Sequence, residues 1–282
     1  MEHHQRFADL AGRYDGFIVD LWGVVHDGVS PYPGAVDCLT RLRDLGKTVV
    51  LLSNAPRRAH AAAAGMRAMG IADDLYTGIV TSGEVTHRLL RDRDLPAFAA
   101  LGSRLYHLGP ERDRNVFDDL DLQTVARPEA ADFLLNTGPD DSRSPTDPAE
   151  YEDELQRCRS AGLPMICANP DLEVIRGGVR VICAGALAMR YIALGGSVLW
   201  VGKPDPAVYR PVLEMLAVPR ARVMAIGDAL RTDIAGAAAV GVAACWVLGG
   251  IHAAELDGPA EAEAAARSAG LAPLATLPAF RW

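Results

Sequence analysis

The 282-residue chain has few of the features that mark secreted or membrane proteins. Its five cysteines are odd in number and no two form a CxxC pair, so reduced, mostly buried thiols are predicted rather than a disulfide framework. The N-terminus has no apolar signal core, and no uninterrupted apolar stretch approaches the roughly 20 residues of a membrane-spanning helix. These absences predict a cytoplasmic protein without a membrane segment.

Basic charge is also scarce. The chain has 28 Lys and Arg residues against 36 Asp and Glu, which gives a net charge of −8 and a pI near 5.4. A broad nucleic-acid-binding surface usually needs a basic stripe, so no nucleic-acid partner is expected. The histidines show no ligand-like spacing, and no zinc site is predicted.

What is present begins with the composition of an ordinary globular protein, 50% hydrophobic and 23% charged. The length exceeds that of most single domains and predicts two. Several segments carry the apolar spacing of helices or the apolar runs of strands. Helices are predicted over residues 34–45, 57–69, 206–216 and 253–270, and strands over 48–52, 223–227 and 243–248.

The most informative residue is Asp20. It follows the short apolar run 17–19 and opens the segment Asp-Leu-Trp-Gly-Val-Val. Open α/β sheets bind their ligands at the carboxyl ends of the strands, which is where a carboxylate after such a run would lie. There it can attack an electrophile or hold a metal ion.

Three later apolar runs also end in polar groups. If all four strands lie parallel in one sheet, these groups converge on one rim. In chain order they are Ser53 and Asn54 after the run 48–52, Lys203 after 198–201, and Asp228 after 223–227, with Asp233 five residues later.

This set of groups suits phosphoryl transfer. The carboxylates of Asp20 and Asp228 can hold Mg²⁺, which prefers oxygen ligands and substrate phosphate. Ser53 and Lys203 can bind the phosphoryl oxygens, where charge accumulates in the transition state. Asp20 can attack in line and carry an aspartyl-phosphate. Ser53 taken alone reads equally well as a turn residue, and it gains weight only from the set.

Ser53 and Lys203 are 150 residues apart, far more than one crossover between neighbouring strands needs. The intervening chain has its own α/β signals, notably the apolar runs 133–135 and 165–168. We therefore expect an inserted domain between the second and third polar strand ends, over residues 83–196. The remaining residues, 1–82 and 197–282, would form the core.

The four segments resemble, in order, the four motifs of the haloacid dehalogenase-like (HAD) hydrolase superfamily. Asp27-Gly28 and Pro33-Gly34-Ala35 after the first motif, with Asn169-Pro170-Asp171 later on, resemble its class IIA, NagD-like members. The likeness spans roughly residues 14–250, and the ordered set of four motifs is its specific part. It implies a doubly wound, Rossmann-like parallel-sheet core with an inserted α/β cap domain that closes over the rim.

The resemblance also implies a role for each matching residue. Asp20 would be the nucleophile, and Mg²⁺ would be bound by Asp20, Asp228 and the main-chain carbonyl of Trp22, with Asp233 supporting the metal. Ser53 and Lys203 would bind the phosphoryl group of a small phosphorylated metabolite. Gly23 and Asn54 would lie beside the substrate. Class IIA proteins often dimerise, so a homodimer is a further expectation.

Trp22 departs from the pattern. It stands where the best-known form of the motif carries a second Asp, which serves as general acid and base. That help is typically worth about 10²–10⁴-fold in rate, and an indole N–H is a donor only. Trp22 is expected to line the pocket, although a core aromatic is the alternative.

Three interpretations of this departure stay open. His26, six residues after the nucleophile, is the nearest titratable replacement, although a partly exposed loop histidine is an equally good interpretation. A substrate with a good leaving group would need no acid. The third interpretation is a regulator or scaffold that binds a phosphorylated ligand and turns it over poorly.

The leading hypothesis is a Mg²⁺-dependent hydrolase of a small phosphorylated metabolite, with the binding protein as the alternative. Different chemistry on the same scaffold is a third possibility, because fold does not fix function. Dehalogenation is disfavoured because it would leave the metal carboxylate Asp228 without a purpose.

Overall fold

The structure is a computed structural model that describes residues 1–253, 256 and 258–282. Its strands build two parallel sheets and one hairpin. In chain order, β1 to β14 are Glu2–His3, Gly16–Val19, Thr48–Ser53, Gly78–Thr81, Arg104–Leu108, Gln123–Thr124, Phe133–Asn136, Met165–Cys167, Glu173–Arg176, Val179–Ile182, Val198–Trp200, Val223–Gly227, Ala243–Val247 and Ala275–Leu277.

The α-helices lie between the strands, as parallel sheets require. In chain order, α1 to α10 are Ala8–Ala11, Ala35–Asp44, Ala59–Ala68, Ser82–Asp92, Pro96–Ala99, Glu152–Ser160, Ala184–Ala193, Pro206–Leu216, Ala235–Ala239 and Pro259–Ser268.

The larger sheet is the core. Its seven strands run in the order β1-β14-β13-β12-β2-β3-β4, and every neighbouring pair is parallel. Phe17 and Val19 of β2 pack into the apolar cluster on one face, and Ile18 packs into the cluster on the other. Burial on both faces explains why these strands read as continuous apolar runs.

The second sheet belongs to the inserted cap and has the order β11-β8-β7-β5-β6, again all parallel. It too is covered on both faces, with Leu134 of β7 in one apolar cluster and Phe133 in the other. The antiparallel hairpin β9–β10 follows β8. The α/β fold with core and cap sheets is therefore as the sequence predicts.

One expectation about the strands is wrong. The run before Lys203 was expected to join the core sheet, but β11 pairs in parallel with β8 at the edge of the cap sheet. A short apolar run carries no information about which sheet it joins, and this one completes the cap before the chain returns to the core. We therefore propose that the cap extends to Trp200 rather than to residue 196.

The predicted helices lie close to the observed ones. The helix expected over 206–216 is α8 with the same bounds, and that over 34–45 is α2 with one residue fewer at each end. The helix expected over 253–270 is shorter, since α10 spans Pro259–Ser268; residues 254, 255 and 257 of that prediction lie outside the described residues.

The structure also bears on the cysteines and on the search for membrane-spanning helices. All five cysteines are free and buried, as expected for reduced thiols. Among the helices of the described residues, none combines the length and apolarity that crossing a membrane demands.

Candidate active site

The core sheet brings three of the predicted groups to one rim. Strand β2 lies between β3 and β12, so Asp20, Ser53 and Asp228 follow three neighbouring strands at the same end. The Asp20 N–H donates to the carbonyl of Ile226 at 2.9 Å, which extends the β2–β12 pairing into the site. All three residues are at most 7% exposed.

Lys203 reaches this rim from the cap side. Its Nζ donates to Asp20 Oδ1 and Asp233 Oδ1, both at 2.6 Å, and to the Leu52 carbonyl at 3.2 Å. Burial alone would lower the pKa of Lys203, but the two carboxylates beside it raise that pKa well above its usual value. Lys203 is therefore a fixed cation in contact with the predicted nucleophile.

Three buried carboxylates surround this one cation. Ligand atoms of Asp20, Asp228 and Asp233 all lie within 4.8 Å of one another. Burial, and then the charge of Asp233, raise the pKa of Asp228 to about 8 and that of Asp20 well above its usual range. With Lys203 counted, the fully ionised cluster is two positive charges short, and its donors are all oxygen. It therefore fits a hard divalent cation such as Mg²⁺.

The three carboxylates differ in what they offer a metal. Both oxygens of Asp233 already accept hydrogen bonds, Oδ1 from Lys203 and Oδ2 from the Ala229 N–H at 3.1 Å. Asp228 Oδ2 accepts from the Ile251 N–H at 2.7 Å. Asp233 therefore positions the lysine and adds negative charge, while Asp20 and Asp228 remain the better candidates for direct ligands.

Two glycines make room for the Asp228 carboxylate. A Cβ on Gly23, which has φ +79°, would lie 1.8 Å from Asp228 Oδ2, and a Cβ on Gly250 would lie 2.1 Å from the same atom. Gly23 therefore sits beside Asp228 and shapes the carboxylate pocket. Gly250 was not predicted as a site residue, and its only signal in the sequence is the Gly-Gly pair after β13.

The Asn54 side chain connects several segments of the site by hydrogen bonds. Its Oδ1 accepts from the Lys203 N–H at 2.8 Å and from Ser82 Oγ at 3.1 Å, and its Nδ2 donates to Asp171 Oδ1 at 2.9 Å. Asn54 therefore ties the loop after β3 to a residue of the cap. Ser53 Oγ accepts from the Ala55 N–H at 3.2 Å, which leaves its own proton for another acceptor.

Two cavities meet at the rim. The smaller, about 240 Å³, is lined by Asp20 and Asp228 of the core and by Glu173 of the cap. The larger, about 480 Å³, is lined mainly by cap residues and by the loop after β3. Trp22, Asp171 and Val174 line both cavities, so they form the boundary between them.

Trp22 lines the pocket, as the sequence predicts. Its ring covers Gly28, where a Cβ would lie 2.1 Å from the indole, and it meets the His26 ring edge-on at 5.3 Å. The indole thus occupies space between the two cavities, and its packing fixes the turn after Asp20.

His26 does not behave as expected. It is 4% exposed, and its Nδ1 accepts from the Gly28 N–H at 3.0 Å. Burial lowers the pKa of His26 to about 4, so the ring is neutral near pH 7. Among the described residues that line the two cavities, His26 is absent. The interpretation of His26 as a partly exposed loop histidine is therefore wrong, because the ring is buried in the turn that it stabilises. A contact of His26 with the substrate stays a prediction.

Asp171 was missed as a site residue. It belongs to the Asn-Pro-Asp segment after β8, lines both cavities and binds Asn54. In the sequence, the only signal of this segment is its resemblance to the class IIA members. Its partner lies 117 residues away in the chain, and no local pattern reveals such a contact.

Family models match both parts of the core. A model described as haloacid dehalogenase-like hydrolase matches residues 17–123, and one described as HAD-hydrolase-like matches residues 200–272. A solved haloacid dehalogenase-like hydrolase from Brucella suis is 37% identical, with a TM-score of 0.85 over 98% of this chain and 99% of that one.

Two relatives match the chain over most of its length. Chronophin from Homo sapiens is 29% identical over 235 residues, 80% of this chain and 78% of chronophin. D-glycerol 3-phosphate phosphatase from Mycobacterium tuberculosis is 30% identical over 250 residues, 87% of this chain and 66% of that enzyme. With its four ordered motifs, its buried carboxylate cluster and its two-sheet architecture, the chain belongs to the haloacid dehalogenase-like hydrolases of class IIA.

Proposed function

We propose that the protein is a Mg²⁺-dependent phosphatase of a small phosphorylated metabolite, acting through an aspartyl-phosphate on Asp20. The observation that carries the proposal is the contact of Asp20 with Lys203 at 2.6 Å inside a cluster of three buried carboxylates. The names of relatives support it, since they include D-glycerol 3-phosphate phosphatase and the sugar-phosphatase AraL of Bacillus subtilis, the latter 28% identical over 243 residues.

Each residue of the cluster has a task in this proposal. Asp20 attacks the phosphorus atom, and Lys203 and Ser53 bind phosphoryl oxygens as charge builds on them. Asp20, Asp228 and the Trp22 carbonyl would hold Mg²⁺, whose charge offsets that of the phosphoryl group. Asp233 keeps the ammonium of Lys203 directed at the nucleophile. The alcohol then leaves, and water cleaves the acyl phosphate to regenerate Asp20.

The test is phosphate release from a panel of phosphorylated metabolites, with Asp20→Asn as the control variant. Wild type should release phosphate only when Mg²⁺ is present, and Asp20→Asn should be inactive because an amide cannot act as this nucleophile. Its circular dichroism spectrum should match that of wild type. Turnover retained by Asp20→Asn would overturn the proposal.

Trp22 motivates a second candidate, a protein that binds a phosphorylated ligand without efficient turnover. The indole occupies the boundary of the two cavities and has no group that exchanges a proton. Binding of phosphorylated ligands in the presence of Mg²⁺, with no release from any of them, would favour this candidate. Robust release from any physiological phosphoester would remove it.

A further inference from the structure

We infer that Asp171, a carboxyl group of the cap, is the general acid and base that residue 22 does not supply. The inference rests on the proposed phosphatase function and names the residue that completes its chemistry. It starts from a juxtaposition: Asp171 lines the same cavity as the nucleophile Asp20, and it also lines the larger cavity next to it.

This position suits the transfer of a proton to a leaving group. A phosphoryl group at Asp20 lies in the smaller cavity, which leaves the larger one, about 480 Å³, for the rest of the substrate. The oxygen that joins the two parts then lies at the boundary between the cavities. Besides Asp171, the residues shared by both linings are Trp22 and Val174, and neither side chain can give up a proton and take it back.

The other titratable groups of the smaller cavity are less suitable. Glu173 forms an ion pair with Arg180, so its carboxylate already has a partner. Arg231 donates to the Pro170 carbonyl, and a guanidinium has donors but no acceptor with which to take a proton back. His252 meets the Trp246 ring edge-on at 5.6 Å and is not among the described residues that line the larger cavity. Among the described residues that line both cavities, this leaves Asp171 as the carboxyl group placed for the task.

The environment of Asp171 raises its pKa and so favours the protonated form that a general acid needs. Burial raises the pKa of Asp171, and the charge of Asp233 acts in the same direction. The cation of Lys203, the amide of Asn54 and the cation of Arg231 oppose this change. The net effect is a raised pKa, so Asp171 keeps its proton to higher pH than an ordinary carboxyl group, as a general acid must.

The carboxyl group is also held in place from the core. Asn54 Nδ2 donates to Asp171 Oδ1 at 2.9 Å, and the same Asn54 binds the main chain of Lys203. The Asp171 N–H donates to Asn169 Oδ1 at 3.0 Å, which shapes the loop. The second carboxyl oxygen, Oδ2, is then the one that serves the substrate, and its position depends on the cap being closed on the core.

In this inference the reaction has two steps, phosphorylation of Asp20 and hydrolysis of the aspartyl-phosphate. Asp20 forms a bond to phosphorus while the bond from phosphorus to the leaving oxygen breaks, and the proton of Asp171 passes to that oxygen to give an alcohol. The Asp171 carboxylate next takes a proton from water as the water oxygen attacks the aspartyl-phosphate. The bond from phosphorus to Asp20 breaks, inorganic phosphate is released, and Asp171 is protonated again.

The test compares two substrates whose leaving groups differ in their need for a proton. For Asp171→Asn we expect kcat/KM, which reports the phosphorylation step alone, to fall by about 10²–10⁴-fold on an alkyl phosphate such as glycerol phosphate, the typical worth of a general acid. On 4-nitrophenyl phosphate, whose leaving group is stable as an anion, kcat/KM should fall by less than tenfold. Because both substrates form the same aspartyl-phosphate, loss of the general base lowers kcat for both.

The matched control is Glu173→Gln, which neutralises the other cap carboxyl group of the same cavity. It should affect both substrates equally and by less than tenfold. Equal losses of kcat/KM on both substrates in Asp171→Asn would mean a structural role and would overturn the inference, as would an unchanged kcat/KM for the alkyl phosphate. Unchanged Mg²⁺ binding and urea denaturation must first establish that the variant is folded.

A second variant keeps the inference separate from the proposed function. Trp22→Asp should restore part of the alkyl phosphatase activity in the Asp171→Asn background, because it returns a carboxyl group to the motif. Absence of any such gain would count against the inference. Turnover that persists in Asp20→Asn, or no turnover in wild type, would overturn the proposed function itself, whatever Asp171→Asn does.

Discussion

The ion pairs of the core rim are buried, whereas three ion pairs of the cap are exposed to solvent. At the rim, the side chains of Lys203, Asp20 and Asp233 are 3%, 8% and 7% exposed and contact one another directly. Three cap ion pairs, formed by Arg104, Arg157 and Arg190 with acidic partners, have side chains that are 24–55% exposed. Exposed pairs contribute roughly 0–1 kcal/mol, whereas a buried charge that loses its partner costs several. The strongest electrostatic interactions of the core therefore lie together at the rim. The cap contributes cavity walls and, by our inference, one carboxyl group.

The largest effect should come from removing the buried cation of the rim. Lys203→Met keeps the aliphatic stem but leaves Asp20 and Asp233 without their ammonium, so stability at pH 7 should fall by about 3–5 kcal/mol. Activity should fall by at least about 10²-fold, since the phosphoryl oxygens lose a cation. Urea denaturation and phosphate release measure the two effects.

The chain offers a matched control, because it has one other lysine. Lys47 donates to the Tyr14 carbonyl at 2.7 Å and to Asp15 at 3.0 Å, outside the site. Lys47→Met should cost no more than about 1 kcal/mol and leave turnover unchanged. Added Mg²⁺ should recover stability in Lys203→Met but not in Lys47→Met, because the ion would replace the lost positive charge. Equal losses in the two variants would contradict the contrast between rim and surface.

A smaller effect on stability, with a large one on metal binding, is expected at Gly23. In Gly23→Ala the new Cβ would meet Asp228 Oδ2 at 1.8 Å, so the carboxylate must move. Strain at a positive φ adds about 1–2 kcal/mol. We expect calorimetry to show Mg²⁺ affinity reduced by at least about tenfold.

Gly46→Ala separates the two causes. Gly46 has φ +67°, close to the +79° of Gly23, but a Cβ there would meet no atom within 4 Å. This variant should therefore show the strain alone, with unchanged Mg²⁺ affinity. Loss of Mg²⁺ affinity in both variants would mean that backbone strain, and not the steric contact with Asp228, governs the metal site.

The difference between the core rim and the cap also explains which features the sequence could predict. Asp20, Ser53 and Asp228 were accessible because each ends a buried strand, and parallel strands bring their ends together. The position of β11 was not accessible, because an apolar run of three residues fits either sheet. Asn54 was expected beside the substrate, but its hydrogen bonds to Lys203 and Asp171 depend on how the cap meets the core, and no local spacing encodes that arrangement.

The smallest effect on activity is expected in the cap, at His107. Its Nε2 lies 2.9 Å from Thr137 Oγ1, and burial lowers its pKa to about 4 from an unfolded value near 6.5. The unfolded chain therefore binds more protons between these two pH values, and stability falls as the pH falls from about 6.5 to 4. By linkage this group should cost about 2 kcal/mol between pH 7 and pH 5.

His107→Gln keeps an amide nitrogen near Thr137 and removes the titration. In urea denaturation, wild type should therefore lose about 2 kcal/mol more than the variant between pH 7 and pH 5. The phosphatase activity of the folded protein should differ little between the two, because His107 lies in the cap sheet and is not among the described residues that line either cavity at the rim. A variant that lost activity in parallel with stability would show that the cap sheet and the rim are coupled more tightly than their separate hydrogen-bond networks imply, and the division of labour between core and cap would have to be redrawn.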